Sequence, residues 1–402
     1  MISNFQEIIS DSAKGMKRSA IRELLKLAQN PDIISFAGGL PAPETFPVEK
    51  LFEVVKEVLE EQGAAALQYG ATEGDNKLRE QIAENYRNDG FDITKENVLI
   101  TTASQQGLDL LGKIFINRGD KVFVGLPSYL GGLSAFNAYG ADMVGIKFDE
   151  RGMRSDIIEE KLAKLKANND MPKFIYVIPD FQNPAGVTIP DFRRKEILDV
   201  AKRYDILIVE DSPYKEIRFE GKDQTSLYAL DNTGHVINLG TFSKIFVPGF
   251  RIGWVIAHPD IIDKFVMAKQ GTDLCTSPFV QKISAKYIEK GYFGTNLKKT
   301  IKIYKEKKEV MIKAFEEYMP QGVTWTNPEG GLFLFVTLPE YMNADELFQK
   351  AIKKKIAFVK GSVFHCDGSG QNTMRINFSF SSKENNIEGV KRLAQVIRES
   401  MK

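Results

Sequence analysis

Short apolar runs alternate with longer amphipathic stretches along the middle of the chain. Seven of the apolar runs, rich in β-branched and aromatic residues, predict strands at residues 98–101, 121–125, 142–148, 174–178, 207–210, 236–239 and 254–257. Helical patterns separate several of these strands, at residues 106–115, 132–138, 156–166 and 192–202. Because strands that alternate with helices form βαβ units, the pattern predicts an α/β fold with a mostly parallel seven-stranded sheet covered on both faces.

The pattern changes after Ser277. A helical stretch to about residue 290 and a Lys-rich amphipathic segment at 296–318 precede strand-like pieces at 332–338, 356–359 and 374–380 and a terminal helix at 384–401. We interpret this part as a smaller α+β domain that is reached through a long helix. The predicted division is an N-terminal arm at 1–47, a large domain at 48–290 and a small C-terminal domain at 291–402.

Composition and charge argue against several classes of protein. The chain has 54 basic and 53 acidic residues, so it has no excess of positive charge for nucleic acid or an anionic membrane. No apolar run is long enough to span a bilayer, and the first residues lack the features of a secretory signal. Two cysteines and three scattered histidines provide neither a disulfide framework nor zinc-ligand spacing. We therefore expect a cytoplasmic protein without a metal site.

The segment at residues 241–253 concentrates reactive side chains between two strand-like runs. Two hydroxyls, Thr241 and Ser243, lie next to Lys244, and Arg251 follows a Pro-Gly turn. A lysine flanked by hydroxyls and backed by an arginine is typical of an amine nucleophile beside an anion site. A strand–turn–strand with incidental charges is the alternative interpretation of this segment alone.

This segment resembles the cofactor-lysine motif of the fold-type I pyridoxal-phosphate enzymes, specifically the class I/II aminotransferases. The resemblance implies a PLP-transferase fold of type I, with pyridoxal 5′-phosphate as cofactor and Lys244 as the catalytic residue. Lys244 would bind the cofactor covalently through its amine and later move the proton of the substrate Cα. The amine must be neutral for part of this cycle, a state that desolvation and the cation of Arg251 both favour.

A phosphate site is predicted where residues 102–107 follow a strand and begin a helix. Helix N-termini present free N–H groups and the positive end of a dipole, so a phosphate is accommodated there. For Ser104 alone, simple capping of the helix is the alternative. The resemblance assigns the phosphate to five residues: Ser104, Gln105 through its backbone, Thr241, Ser243 and Arg251.

Three motifs provide candidates for the cofactor ring. Asp211 and Tyr214 match the family's D-x-P-Y pattern and would meet the pyridine nitrogen and the phenolate oxygen, while Glu210 is the competing carboxylate. Asn183 resembles the start of the N-P-x-G element and would donate to the same phenolate oxygen, although an ordinary Asn-Pro turn is the alternative. Tyr129 would stack on the ring, and a core tyrosine is the alternative there.

Substrate recognition is predicted around Arg375, which lies in an apolar strand pattern where an unpaired cation is costly. The family uses this arginine as a bidentate fork for the substrate α-carboxylate, and an internal salt bridge is the alternative. Asn183 and Gly39 are the further candidates for substrate binding. The segment at 35–47, which contains Gly39, resembles the 2-aminoadipate/kynurenine (multi-substrate) branch of the family.

The helical pattern before this segment carries a basic stripe, formed by Arg18, Arg22 and Lys26 at i, i+4 spacing. Such a stripe is either a solvated face or, for Arg22, a clamp on the distal carboxylate of glutamate or 2-aminoadipate. The resemblance favours the clamp, because this helix closes over the site in the resembling enzymes.

The resemblance covers nearly the whole chain, from about Gly38 to Arg375. It implies ping-pong transfer of an amino group between an L-amino acid (2-aminoadipate, glutamate, aromatic or branched-chain) and 2-oxoglutarate. It also implies a homodimer, in which Tyr69 reaches the phosphate of the neighbouring site. The alternatives are another pyridoxal-phosphate reaction on the same scaffold, such as a β-lyase, and a regulator-type binding module.

Overall fold

The computed structural model describes residues 4–16 and 32–401. In this part of the chain the strands are β1 (Ile34–Ser35), β2 (Val98–Thr102), β3 (Lys121–Leu126), β4 (Asp142–Asp149), β5 (Gly152–Met153), β6 (Phe174–Val177), β7 (Leu207–Asp211), β8 (Val236–Thr241), β9 (Ile252–Ile256), β10 (Thr324–Trp325), β11 (Phe333–Thr337), β12 (Ile356–Ala357), β13 (Val359–Lys360) and β14 (Thr373–Asn377). All seven predicted strands of the middle of the chain are therefore present, with ends that differ by at most two residues.

The α-helices of the described residues surround these strands. They are α1 (Phe5–Ile8), α2 (Asp11–Gly15), α3 (Val48–Leu67), α4 (Asn76–Asn88), α5 (Ala103–Phe115), α6 (Leu130–Ala138), α7 (Ser155–Lys166), α8 (Asp191–Tyr204), α9 (Leu227–Leu230), α10 (Pro259–Gln270), α11 (Pro278–Glu289), α12 (Tyr292–Tyr318), α13 (Ala344–Lys353) and α14 (Lys383–Arg398). None of them has an apolar stretch long enough to cross a bilayer.

The largest sheet has the strand order β2-β9-β8-β7-β6-β3-β4-β5. Six of its strands run in one direction, while β9 is antiparallel to both of its neighbours and the two-residue β5 is antiparallel to β4. The inner strands are buried on both faces, which explains why they are continuous apolar runs rather than alternating ones. The prediction of a mostly parallel sheet is confirmed, and β5 is the one strand it missed.

The C-terminal part contains a second sheet, with the order β10-β11-β14-β13, in which all neighbours are antiparallel. The long helix α12 packs on the terminal helix α14 beside it. Ile34 pairs in parallel with Ile356, so β1 and β12 tie the segment before α3 to the C-terminal part of the chain. The predicted domain boundaries after residues 47 and 290 stay a prediction.

The parallel strands bring their carboxyl ends to one edge of the large sheet. At this edge lie the ends of β2, β8, β7, β6 and β3 and the loops that follow them. Open parallel sheets bind their ligands at this edge, because the loops and helix N-termini that leave it are free to face a ligand. This edge therefore positions the site described next.

Candidate active site

The N-terminus of α5 lies directly against β9. Ala103 N donates to Arg251 O at 2.9 Å, and a Cβ on Gly253 would lie 2.5 Å from Ser104 N. Only glycine permits this approach, which brings the helix terminus next to the Lys244 segment. The helix begins at Ala103, so Ser104 lies within its first turn and the capping alternative for Ser104 is wrong.

Two hydroxyl groups and a guanidinium lie beside the N-terminus of α5. Ser243 N donates to Thr241 Oγ1 at 3.1 Å, and Arg251 Nη1 donates to Ser243 Oγ at 3.3 Å. Thr241 and Ser243 are buried, whereas Arg251 is exposed. The side chain of Gln105, also in the first turn of α5, donates to Gly131 O at 3.1 Å. Because the helix N–H groups remain available, the arrangement suits a phosphate.

Lys244 lies half-buried beside this anion site. Its Nζ donates to Gly39 O at 2.8 Å. Burial, and then the positive charges of Arg375 and Arg251, lower the pKa of Lys244 to about 8. A lysine amine with this pKa is neutral far more often near neutral pH than an ordinary surface lysine, so it is suited to act as a nucleophile and a base.

Asp211 ends β7 as a buried carboxyl group with one free oxygen. Tyr176 Oη donates to Asp211 Oδ2 at 2.7 Å, while Asp211 Oδ1 has no hydrogen-bond partner among the described residues. Burial raises the pKa of Asp211 to about 7, against the lowering effect of the Tyr176 hydrogen bond. A cationic ligand at Oδ1 would complete the hydrogen bonding of this carboxylate and favour its charged form.

The competing carboxylate, Glu210, faces the other way. Successive side chains of a strand point to opposite faces of the sheet, so Glu210 and Asp211 cannot share one site. The carboxylate of Glu210 accepts four hydrogen bonds, from Ser226 Oγ, Leu227 N, Tyr228 N and Asn238 Nδ2. These bonds hold Glu210 at the start of α9, which leaves Asp211 as the carboxylate with a free oxygen.

Three polar side chains extend the site beyond Asp211. Asn183 Nδ2 donates to Tyr214 Oη at 3.1 Å, and both residues are buried. Tyr129 lies close enough that the charges of Asp211, Arg375 and Arg251 all act on its pKa, which burial raises. Its hydroxyl contacts Gln105 Oε1 at 3.3 Å. The structure thus brings Asn183, Tyr214 and Tyr129 together with the Asp211 carboxyl.

Arg375 is fully buried and lies against two aromatic rings. Its Nη1 donates to Asn183 Oδ1 at 2.9 Å and its Nη2 to Ala37 O at 2.8 Å, while Nε has no partner among the described residues. The guanidinium carbon lies 4.2 Å from the ring centroid of Phe333 and 5.2 Å from that of Phe364. Burial lowers the pKa of Arg375 to about 10. No carboxylate among the described residues pairs with Arg375, so the salt-bridge alternative has no support in this part of the chain.

Two predicted residues are not part of this cluster. Tyr69 is 79% exposed and lies at the end of α3. Arg22, with the rest of the basic stripe, lies outside the described residues.

Sequence reasoning missed some residues of the site. Tyr176 lies within the apolar run of β6, so nothing in the local sequence distinguishes its hydroxyl from that of a core tyrosine. Phe333 faces both Arg375 and Gly39, where a Cβ would lie 3.3 Å from its ring. Its only sequence signal was its position in a predicted strand.

Comparison with known proteins defines the class. The family model for aminotransferases of class I and II matches residues 32–393. Aromatic-amino-acid aminotransferase 1 of Thermococcus litoralis is 49% identical, over 99% of this chain and 96% of its own length. The 2-aminoadipate transaminase of Thermus thermophilus is 39% identical, over 98% of each chain. The solved kynurenine aminotransferase of Pyrococcus horikoshii, in complex with PMP, has a TM-score of 0.96 and 45% identity, over 100% of each chain.

The chain belongs to the class I and II aminotransferases. It is therefore an aminotransferase with pyridoxal 5′-phosphate as its cofactor, and the predicted resemblance to the 2-aminoadipate/kynurenine branch is confirmed. The residues described above suit this cofactor chemically. They offer an amine with a lowered pKa for its aldehyde, a helix terminus with hydroxyls for its phosphate, and a buried carboxylate with a free oxygen for its pyridine nitrogen.

Proposed function

We propose that this enzyme transfers the amino group of 2-aminoadipate, glutamate, aromatic or branched-chain L-amino acids to 2-oxoglutarate, in two successive half-reactions. The observation that carries the proposal is the half-buried Lys244 amine, which donates to Gly39 O at 2.8 Å and whose pKa burial and the cations of Arg375 and Arg251 lower to about 8. One cation suits a carboxylate and the other a phosphate, which supports a role for the amine where a substrate Cα would meet the cofactor. The similarity to an aromatic-amino-acid aminotransferase and to a 2-aminoadipate transaminase supports aromatic amino acids and 2-aminoadipate as donors.

The phosphate of the cofactor would be held at the N-terminus of α5. Ser104 and the Gln105 backbone would provide donors from the helix, and Thr241, Ser243 and Arg251 would provide the others. Such a site needs no buried counter-ion, because the helix dipole and the guanidinium already oppose the charge of the phosphate. The close contact between Gly253 and Ser104 supports this assignment, since it keeps the two halves of the cradle together.

The cofactor ring would be held on three sides. Asp211 Oδ1 would accept a hydrogen bond from the pyridine nitrogen, Asn183 and Tyr214 would donate to the phenolate oxygen, and Tyr129 would stack on the ring. Pairing with a cationic nitrogen would lower the pKa of Asp211 from about 7 and keep it charged. This charge matters because pyridoxal phosphate, when bound, withdraws electrons from the bonds of the substrate Cα.

Lys244 would act as the catalytic acid and base. Its neutral amine would take the proton from the substrate Cα and hold it as an ammonium. It would then deliver the proton to the cofactor carbon that bears the transferred nitrogen. Gly39 O, which accepts from Lys244 Nζ at 2.8 Å, would hold the ammonium between the two events. The cations of Arg375 and Arg251 favour return of the proton, because they destabilise a positive charge on Lys244.

The substrate α-carboxylate would bind to Arg375. The aromatic contacts of Phe333 and Phe364 fix the guanidinium plane, so its donors meet a carboxylate without much loss of side-chain freedom. Asn183 would contact the same carboxylate, and the Gly39 segment would approach it from the other side. A Cβ on Gly39 would lie 3.3 Å from the ring of Phe333, so the ring would have to shift by a few tenths of an ångström to admit a side chain there.

For Arg22 we predict a role in selecting acidic side chains. Arg22→Ala should raise KM for glutamate and 2-aminoadipate by about tenfold to a hundredfold, because a charge-assisted hydrogen bond to the distal carboxylate is lost. KM for leucine and phenylalanine should be unchanged. Arg18→Ala, from the same stripe, is the matched control. Steady-state kinetics with the four donors checks this, and an equal effect on all of them would rule out the clamp.

We further propose a homodimer in which Tyr69 completes the neighbouring site. The exposed apolar residues Val48 and Phe52 lie one turn apart on α3, Leu59 falls on the same helical face, and Leu67 is exposed near the helix end. Phe52 is 77% exposed, and several exposed apolar side chains along one helix are typical of an interface. A second copy of the chain, which carries the same face, would cover it and bring Tyr69 to the other protomer.

This arrangement predicts complementation between two damaged chains. In a hybrid dimer of Lys244→Ala with Tyr69→Ala, one site carries both lesions and the other carries none. The hybrid should therefore contain one site with the wild-type rate, measured after purification with two affinity tags. If Tyr69 served its own protomer, no site of the hybrid would exceed the rate of the Tyr69→Ala homodimer.

The test of the proposed function is a panel of amino donors with 2-oxoglutarate, in which glutamate formation is measured. Glutamate should accumulate with aromatic, branched-chain and 2-aminoadipate donors. A β-lyase would instead release ammonia and a 2-oxo acid, without an acceptor, from a donor with a leaving group on Cβ such as an S-substituted cysteine, and would form no glutamate from the panel; a regulator-type module would release nothing. The domain division and the cytoplasmic location are further parts of this proposal, to be checked by limited proteolysis and by cell fractionation.

A further inference from the structure

Tyr176 occupies one of the two oxygens of Asp211 and leaves the other one free. Its Oη donates to Asp211 Oδ2 at 2.7 Å, and Oδ1 has no partner among the described residues. Tyr176 and Asp211 are each only 1% exposed. Oδ1 is therefore the oxygen of Asp211 that remains to accept a hydrogen bond. Its direction is fixed, because rotation about the Cβ–Cγ bond of Asp211 would break the Tyr176 hydrogen bond.

The ring of Tyr176 is itself held in place. Phe136 packs edge-on against it, with ring centroids 5.3 Å apart. On the helix side, a Cβ on Gly132 would lie 3.0 Å from the ring and 3.2 Å from the hydroxyl, so α6 passes closer to Tyr176 than a larger residue would allow without a shift. These contacts leave the hydroxyl little freedom to turn away from Asp211. Tyr176 lies on β6, next to β7, so the pair also spans two strands of the sheet.

We propose that Tyr176 is a positioning residue that aims Asp211 Oδ1 at the pyridine nitrogen of the cofactor and keeps the Asp211 carboxyl charged. This inference rests on the proposed contact between Asp211 and that nitrogen. Tyr176 acts through Asp211 and touches neither cofactor nor substrate in this account. A hydroxyl donor stabilises the charged form of a buried carboxyl group, and desolvation opposes it.

The hydrogen bond also favours the charged form of the buried Asp211 carboxyl group before the cofactor binds. Without the Tyr176 hydroxyl, neither oxygen of Asp211 would have a partner among the described residues, and its pKa, which burial already raises to about 7, would rise further. A neutral carboxyl group pairs less strongly with a pyridinium than a carboxylate does, because the charge-assisted part of the interaction is lost. The expected defect of Tyr176→Phe is therefore confined to ligands that have a ring nitrogen.

The experiment measures the affinity of the apoenzyme for two probes, by equilibrium titration. The probes are pyridoxal 5′-phosphate and its 1-deaza analogue, in which a C–H group replaces the ring nitrogen. Tyr176→Phe should weaken binding of pyridoxal phosphate by about tenfold, the size of one hydrogen bond to a charged group, and leave binding of the analogue unchanged. Both probes are measured on the same variant, so a general loss of folding would weaken both.

Two further variants separate this inference from the proposed function. Asp211→Asn should abolish the preference for pyridoxal phosphate over the analogue, and adding Tyr176→Phe to it should change nothing further. Tyr86→Phe is the matched control: this buried tyrosine accepts from Trp254 Nε1 at 3.0 Å, has no hydrogen bond to Asp211, and its replacement should leave the preference intact.

The possible outcomes are distinct. If Tyr176→Phe weakens both probes equally, or neither, while Asp211→Asn removes the preference, the positioning role is overturned and the contact of Asp211 with the ring nitrogen stands. If Asp211→Asn leaves the preference intact, the proposed contact itself fails and the role of Tyr176 fails with it. A loss selective for the ring nitrogen in Tyr176→Phe, absent in Tyr86→Phe, supports the inference.

Discussion

Lys244→Ala is expected to lower the rate of transamination by about 10⁴-fold, the upper end of what one positioned acid–base group contributes. The amine of Lys244 is proposed both to bind the cofactor and to carry the proton of the substrate Cα, so its loss removes two functions at once. The variant should still bind the cofactor through its phosphate and ring contacts. Borohydride reduction followed by mass spectrometry of the peptides should find no cofactor attached to the chain.

Lys244→Arg is the control that separates the charge from the amine. It keeps a cation at this position, but a guanidinium does not lose its proton in proteins and cannot serve as nucleophile or base. We expect it to be as inactive as Lys244→Ala. Near-normal activity of either variant, or borohydride attachment at another lysine, would contradict the role assigned to Lys244.

Arg375→Lys is expected to lower kcat/KM for amino acids by about 10² to 10³-fold, the range for losing one partner of a buried charge-assisted pair. Lysine keeps the charge but provides a point donor instead of a planar fork, and it cannot bond Asn183 and Ala37 while it meets a carboxylate. The loss should be far smaller for 2-phenylethylamine than for phenylalanine, because the amine has no α-carboxylate.

Comparison of these two substrates distinguishes recognition from misfolding. Arg375 is buried, so its replacement also removes donors from Asn183 Oδ1 and Ala37 O and should lower the melting temperature. A variant that is merely destabilised loses both reactions in proportion. An equal loss for phenylalanine and phenylethylamine would therefore contradict the assignment of Arg375 to the α-carboxylate.

The sheet was predictable because its strands are buried on both faces. Such strands are continuous apolar runs, and the helices between them have a distinct period, so the order and approximate ends of seven strands follow from the sequence. The two-residue β5 was missed, because Gly152 and Met153 carry no periodic signal. The start of α5 was predicted three residues late, since Ala103 to Gln105 are mostly polar or small and lie before the first periodic apolar residue.

The site was predictable only in part. Motifs named Lys244, Asp211 and Arg375, and the D-x-P-Y match favoured Asp211 over Glu210, but the contacts that hold Glu210 at α9 could not be read from the sequence. Likewise, the absence of a described carboxylate near Arg375 depends on how β14 pairs with β11, which brings Phe333 beneath the guanidinium. Tyr176 has no local signal, because only the pairing of β6 with β7 brings its hydroxyl to Asp211.

A single half-reaction without an amino acceptor distinguishes amino-group transfer from any other reaction at the Lys244 site. Wild-type enzyme loaded with pyridoxal phosphate is mixed with excess phenylalanine, and the 2-oxo acid and ammonia are counted per site. We expect one equivalent of phenylpyruvate per site, no ammonia, and a second equivalent only after 2-oxoglutarate is added. More than one equivalent of phenylpyruvate per site before 2-oxoglutarate is added, or none at all, would contradict amino-group transfer at this site.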